Sequence, residues 1–203
     1  MENERLSAQR SRRCGKGLIA TENAVQNIPQ ENAVNAVVRP MKPEEYPLLE
    51  DFLYEAVFQK PESKPAPKSI IEAPELRVYI QDFGSRRGDF CLCAESEGRV
   101  IGAAWARLTT GFGRIDDQTP ELAVSVLREH RGRGVGSALL RALIARLRSA
   151  GFAQVSLSVQ KANPAVRLYR RLGFCVACEQ EGELVMVLPL SRLDGALLSP
   201  ASS

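Results

Sequence analysis

Three glycines at alternate positions stand among arginines in the run Arg131-Gly132-Arg133-Gly134-Val135-Gly136. Glycine takes positive φ without steric cost, so such a run turns sharply and exposes consecutive backbone N–H groups. Those groups, the amino terminus of a following helix and the side chains of Arg128, Arg131 and Arg133 together suit a pyrophosphate. Two common nucleotide-binding patterns fit poorly. A P-loop needs Gly-Lys followed by Ser or Thr, which this turn lacks. A dinucleotide site needs Gly-x-Gly-x-x-Gly near the first strand with an acid about 20 residues on. Here the glycines are evenly spaced, lie deep in the chain and are followed by arginines.

Other reactive side chains read more plainly. His130, the only histidine, neighbours the phosphate turn and is read as surface. Cys91 and Cys93 share one face of a strand and read as small buried hydrophobes. Cys175 and Cys178 have a metal-like interval but no second pair, so neither a metal site nor a redox motif is expected.

The elements that must hold the turn follow from periodicity. Leu122 to Val126 is a strand, and Val135, Ala138, Leu139, Ala142, Leu143 and Leu147 stripe one face of a helix over 134–150. Arg141, Arg146 and Arg148 take the other face, and Gly151 closes the helix. Val155, Leu157 and Val159 alternate with serines as the next strand, and Pro164 opens a helix that Gly173 ends. Earlier, strands are expected at 37–39, 90–95 and 100–108, with helices at 44–58 and 73–83. A last hairpin joins 175–178 to 184–190 around Glu181-Gly182. The tally is a mixed α/β (α+β) domain.

Residues 1–36 read as a disordered extension, basic at first and then polar, and 191–203 as a small polar tail. The working domain is 37–190. The formal charge of +3 is too small to argue for nucleic acid. No run approaches the roughly 18 apolar residues of a membrane helix. Five scattered cysteines point to free thiols in a reducing compartment, hence a cytoplasmic protein.

The glycine run resembles the acyl-CoA signature of the GNAT superfamily of N-acetyltransferases: Arg or Gln, two residues, Gly, one residue, then Gly or Ala. Arg131, Gly134 and Gly136 fill those places. A second signature follows in Asn163-Pro164-Ala165, Leu168-Tyr169 and Leu172-Gly173-Phe174. Residues 120–126 resemble the family's central strand. The resemblance implies a mixed, mostly antiparallel sheet of about six to seven strands with about four helices. It also implies a bulged central strand that splays from its parallel neighbour to admit acetyl-CoA. The backbone of Val124, Ser125 and Val126 would then bond the pantetheine arm, and Arg131, Gly132, Arg133, Gly134, Val135 and Gly136 would hold the pyrophosphate. Asn163 would lie near the cofactor and Tyr169 near the thioester sulfur.

Acetyl transfer to an amine needs a neutral amine, a polarised carbonyl and a protonated leaving thiolate. With the resemblance, Tyr169 is the leaving-group acid, and a backbone N–H such as that of Val126 meets the carbonyl oxygen. Glu121, at the start of the central strand, is the first candidate base. Asp116 and Asp117 could hold the cationic amine instead. The resemblance implies that residues 44–83 and 107–120 set acceptor specificity, and Glu62, Glu72, Glu75, Asp82, Glu95, Asp116 and Asp117 could line a cation-accepting cleft. The expected reaction is transfer from acetyl-CoA to a primary amine by a monomer or homodimer without a metal. The alternative is an acyl-CoA sensor without turnover.

Overall fold

Glu97 and Gly98 both take positive φ, 52° and 75°, and so form the two-residue turn whose twist matches paired strands. They join β2 (Phe90–Ser96) to β3 (Arg99–Arg107). The structure, a computed structural model, describes residues 35–57 and 65–190. Most of the expected extension, the tail 191–203 and the stretch 58–64 with Glu62 lie outside the described residues.

Among the described residues the strands form one seven-stranded sheet in the order β1-β2-β3-β4-β5-β7-β6. The others are β1 (Val37–Pro40), β4 (Glu121–Val126), β5 (Gln154–Gln160), β6 (Cys175–Gln180) and β7 (Glu183–Pro189). Only β4 and β5 pair in parallel, and only through Glu121 and Ser156. Every other pair is antiparallel, as expected for this mostly antiparallel sheet.

Among the described residues four α-helices cover the two faces: α1 (Leu49–Ala56), α2 (Pro74–Arg77), α3 (Val135–Ser149) and α4 (Ala165–Arg171). α3 buries Val135, Leu139, Leu140, Leu143, Ile144 and Leu147 against one face, which it shares with α4. Each such side chain contributes about 1.5–3 kcal/mol by leaving water. On the opposite face α1 packs Leu49, Phe52 and Leu53 with Trp105 and Cys93.

Two expected helices are shorter than their periodicity. Pro43–Leu48 is a 3-10 turn because Pro47 within it lacks the N–H that an α-helix would use, and α1 begins after it. The helix expected over 73–83 keeps only Pro74–Arg77, and the chain then turns through Asp82 at φ 50°. The bulge implied for the central strand is also absent. β4 keeps an unbroken register with β3, from Arg107 opposite Glu121 to Gly102 opposite Val126.

Candidate active site where two parallel strands part

β4 alternates between the two faces. Leu122 and Val126 join the core under α3, while Ala123 packs on the α1 side with Trp105. Glu121 and Ser125 therefore face α1. The Ser125 hydroxyl donates to the Phe52 carbonyl at 2.7 Å, tying strand to helix. Beyond Glu121 the edge of β4 that faces β5 has no strand partner, so its backbone borders a widening gap.

Glu121 is 2% exposed, an unusual place for a carboxylate. Its Oε1 accepts from the Gly113 N–H at 2.7 Å and from the Tyr79 hydroxyl. The Tyr79 oxygen in turn accepts from the Phe112 N–H at 2.9 Å. Its Oε2 has no hydrogen-bond partner among the described residues, nor does the hydroxyl of Ser156, its register neighbour on β5. Burial raises the Glu121 pKa to about 7, against the opposing pull of Tyr79 and the Gly113 N–H. Burial also drives the Tyr79 phenol far above its usual range, helped by the Glu121 charge, so it stays a donor.

The sequence singles out Glu121 as a candidate base but does not single out Tyr79, Gly111 or Gly113 as its neighbours. Tyr79 reaches the site because a buried arginine holds the chain around it. Arg107 makes a two-point pair with Asp89 at 3.0 Å and donates to the carbonyls of Val78 and Gln81. A Cβ on Gly113 would lie 2.7 Å from the Leu157 carbonyl carbon and the Ser158 nitrogen. One on Gly111 would strike the Tyr79 oxygen and lie 2.5 Å from Glu121 Oε2. Only glycines let this loop lie so close over the carboxylate.

The glycine turn lies at the other end of β4. Gly132 and Gly134 take φ of 75° and 81°, and open space faces both positions. α3 starts at Val135 without a side-chain cap, which leaves its first N–H groups for a ligand. The turn fits a pyrophosphate on those grounds. Arg131 is otherwise engaged: its Nε donates to the Val126 carbonyl at 2.8 Å and its guanidinium meets Glu55 at 2.6 Å. Arg133 is exposed and has no acidic partner among the described residues.

Asn163 closes a turn at the start of α4, its Oδ1 accepting from the Ala165 N–H at 2.9 Å. Tyr169 packs edge-on against Phe174, 5.9 Å between ring centres, in the core on the α3 side. Burial pushes its phenol up to about 12. Tyr169 and Glu121 thus belong to opposite faces of the sheet.

Of the acids expected to line an acceptor cleft, Glu62 lies outside the described residues, and Glu95, Asp116 and Asp117 are engaged by neighbouring groups. Asp116 caps its own loop, accepting from the N–H groups of Gln118 and Thr119 at 2.8 and 2.7 Å, and the Thr119 side chain, followed by these N–H groups, holds its carboxyl below the usual range. Asp117 pairs with Arg114, and Glu95 on β2 pairs with Arg39 on β1. Short-range loop chemistry had claimed Asp116 and Asp117 first. No cluster of three metal-ligating side chains occurs among the described residues.

A seven-stranded sheet that parts beside a glycine turn, with a helix amino terminus at one end and a buried carboxylate at the other, defines an acyl-CoA-dependent acetyltransferase fold. The model of the Acetyltransferase (GNAT) family matches residues 50–174, and the chain belongs to that family. It is 43% identical over 83 residues to the mycothiol acetyltransferase of Thermobispora bispora, covering 40% of this chain and 28% of that protein. It is 36% identical over 90 residues to the N-alpha-acetyltransferase of Sulfurisphaera tokodaii, covering 40% of this chain and 53% of the relative. The matches thus span less than a third of one curated relative and about half of the other. The PaiA N-acetyltransferase of Thermoplasma acidophilum, solved with coenzyme A, superposes with a TM-score of 0.57 at 17% identity, covering 76% of this chain and 98% of that one. At that identity the likeness is one of fold.

Proposed function

We propose that this chain transfers an acetyl group from acetyl-CoA directly to a primary amine, of a small molecule or of a peptide or protein, in a cytoplasmic setting. The observation that carries the reading is the position of Glu121. It lies at the last paired residue before β4 and β5 part, on the face opposite Tyr169.

Acetyl-CoA would supply the activated thioester. The N–H groups of 132–136 and Arg133 would hold its pyrophosphate, and the free edge of β4 at Val124, Ser125 and Val126 would bond the pantetheine amides. Asn163 would border that arm. Glu121 Oε2, the oxygen left without a partner, would take the proton from the amine, directly or through one water. The amine nitrogen then bonds to the carbonyl carbon while the Val126 N–H region polarises the oxygen. The C–S bond breaks, and Tyr169 gives its proton to the leaving thiolate. Holding both reactants in one complex makes a covalent enzyme intermediate unnecessary.

The alternative is a module that binds acyl-CoA without turnover. Its support is the near-complete cover of Glu121 by Gly111 and Gly113. Thiol release from acetyl-CoA separates the two. The assay uses spermidine, kanamycin, glucosamine, Nα-acetyl-lysine and trialanine as acceptors, with binding of acetyl-CoA checked in the same samples. Release that depends on one acceptor class supports transfer and names the class. Binding without acceptor-dependent release supports the sensor.

A further inference from the structure

We infer that Tyr79 is a positioning residue for the acetyl-transfer reaction, fixing the Glu121 carboxylate so that Oε1 is held and Oε2 receives the proton. The inference rests on the reading of Glu121 as the base.

Three observations carry it. First, both donors to Glu121, the Tyr79 hydroxyl and the Gly113 N–H, converge on the same oxygen, Oε1. A carboxylate held at one oxygen keeps its other lone pairs for a proton. Second, the Tyr79 hydroxyl is itself oriented. Its oxygen accepts from the Phe112 N–H, so its single proton is directed at Glu121. Third, Tyr79 is buried and set by Arg107, whose guanidinium grips the carbonyls of Val78 and Gln81 on either side of it. A tyrosine needed only to fill space would not require an aligned hydroxyl.

The consequence is a tuned proton affinity. Glu121 is buried, and Glu183 at the start of β7 raises its affinity further, while the Tyr79 hydroxyl and the Gly113 N–H lower it. Of the other charged groups nearby, Arg107 is neutralised by Asp89, Asp116 is bound within its loop, and Arg114 is paired with Asp117. A donated hydrogen bond favours the ionised carboxylate, so loss of the Tyr79 hydroxyl moves Glu121 further from ionisation.

The test compares the full chain with Tyr79→Phe and with 3,5-difluorotyrosine placed at position 79. The first removes the donor, and the second keeps the shape but makes the phenol a stronger donor. Glutamate is labelled with 13C at the side-chain carboxyl, and the Glu121 resonance is the one lost in Glu121→Gln. Its titration is followed beside the acid limb of kcat/KM for whichever acceptor of the panel turns over. Tyr79→Phe is expected to move both midpoints up by about one pH unit, with kcat/KM recovering above the new midpoint. The difluoro form is expected to move both down. Midpoints unmoved in both proteins, with any loss uniform across pH, overturn the role given to Tyr79. An acid limb that persists in Glu121→Gln overturns instead the reading of Glu121 on which the inference rests. If Tyr79→Phe does not fold, the difluoro form alone decides, since only its direction of movement is at issue.

Discussion

The Arg131 guanidinium donates to the Val126 carbonyl at 2.8 Å and meets the Glu55 carboxylate at 2.6 Å, which makes it a brace between the end of β4 and α1. The arginine of the glycine signature is thus engaged by protein at two of its nitrogens. Arg133, two residues on, has no such partner among the described residues.

That difference separates two charge reversals. Arg133→Glu is expected to weaken acetyl-CoA binding roughly ten-fold or more while leaving the unfolding midpoint unchanged. Arg131→Glu is expected to weaken binding and also to lower the midpoint, because it sets a second carboxylate beside Glu55. Calorimetric binding and thermal unfolding of both variants check this. Unchanged acetyl-CoA affinity in Arg133→Glu would remove the assignment of the turn to pyrophosphate.

Tyr169→Phe keeps the ring that packs on Phe174 and removes only the hydroxyl. The expected outcome is acetyl-CoA affinity near that of the parent protein with turnover reduced by about 10²–10⁴, the range of a general acid. Burial holds the phenol up at about 12, so it remains protonated throughout the working range. Steady-state rates against thiol release decide the matter. Full turnover in this variant would leave the thiolate to depart without Tyr169.

The pH dependence of stability has a definite sign. Burial raises the Glu121 pKa from 4.5 to about 7 in the folded chain, so the folded state binds the proton more tightly than the unfolded state. The stabilisation this gives is fully present below about pH 4.5 and is lost as pH rises through about 7. The amount at stake is on the order of 3 kcal/mol, since a tenfold change in proton affinity corresponds to about 1.4 kcal/mol. Glu121→Gln, which imitates the protonated side chain, should therefore unfold at a higher temperature than the parent at pH 8 and at a similar temperature at pH 4.5. Scanning calorimetry at the two pH values is the check, and a lower midpoint at pH 8 would contradict the sign.

Gly113→Ala tests the close approach of the loop. The added methyl would lie 2.7 Å from backbone atoms of Leu157 and Ser158, which cannot rotate away. The variant should lose about 1–3 kcal/mol of stability, the usual cost of overpacking. It should also displace the N–H that holds Glu121. Gly132→Ala meets no neighbour and differs, its cost coming from a φ of 75° alone. Denaturant unfolding of both variants distinguishes clash from backbone strain.

Much of this arrangement was legible in residue order. α3 announced itself by an apolar stripe and a closing glycine, and the turn before it by glycines between a strand and that helix. Glu121 was readable as the acid at the head of the central strand. The partner that holds it was not. Tyr79 lies 42 residues away, in a segment whose apolar spacing suggests a continuing helix. Tyr79 is held by the buried Arg107, which pairs with Asp89 and bonds the Val78 and Gln81 carbonyls on either side of it, a tertiary contact with no local signature. Asp116 misled in the opposite direction, since a loop acid that satisfies two N–H groups of its own turn looks, in sequence, like one open to a ligand.

The most direct measurement is thiol release from acetyl-CoA by the full chain across the amine panel, run beside Glu121→Gln and Tyr169→Phe. The expected result is release that requires one class of primary amine, yields one acetylated amine per thiol, and falls at least a hundredfold in each variant. Bound acetyl-CoA with no amine-dependent release, or release that neither variant reduces, would contradict direct transfer from acetyl-CoA to the amine with Glu121 as base and Tyr169 as acid.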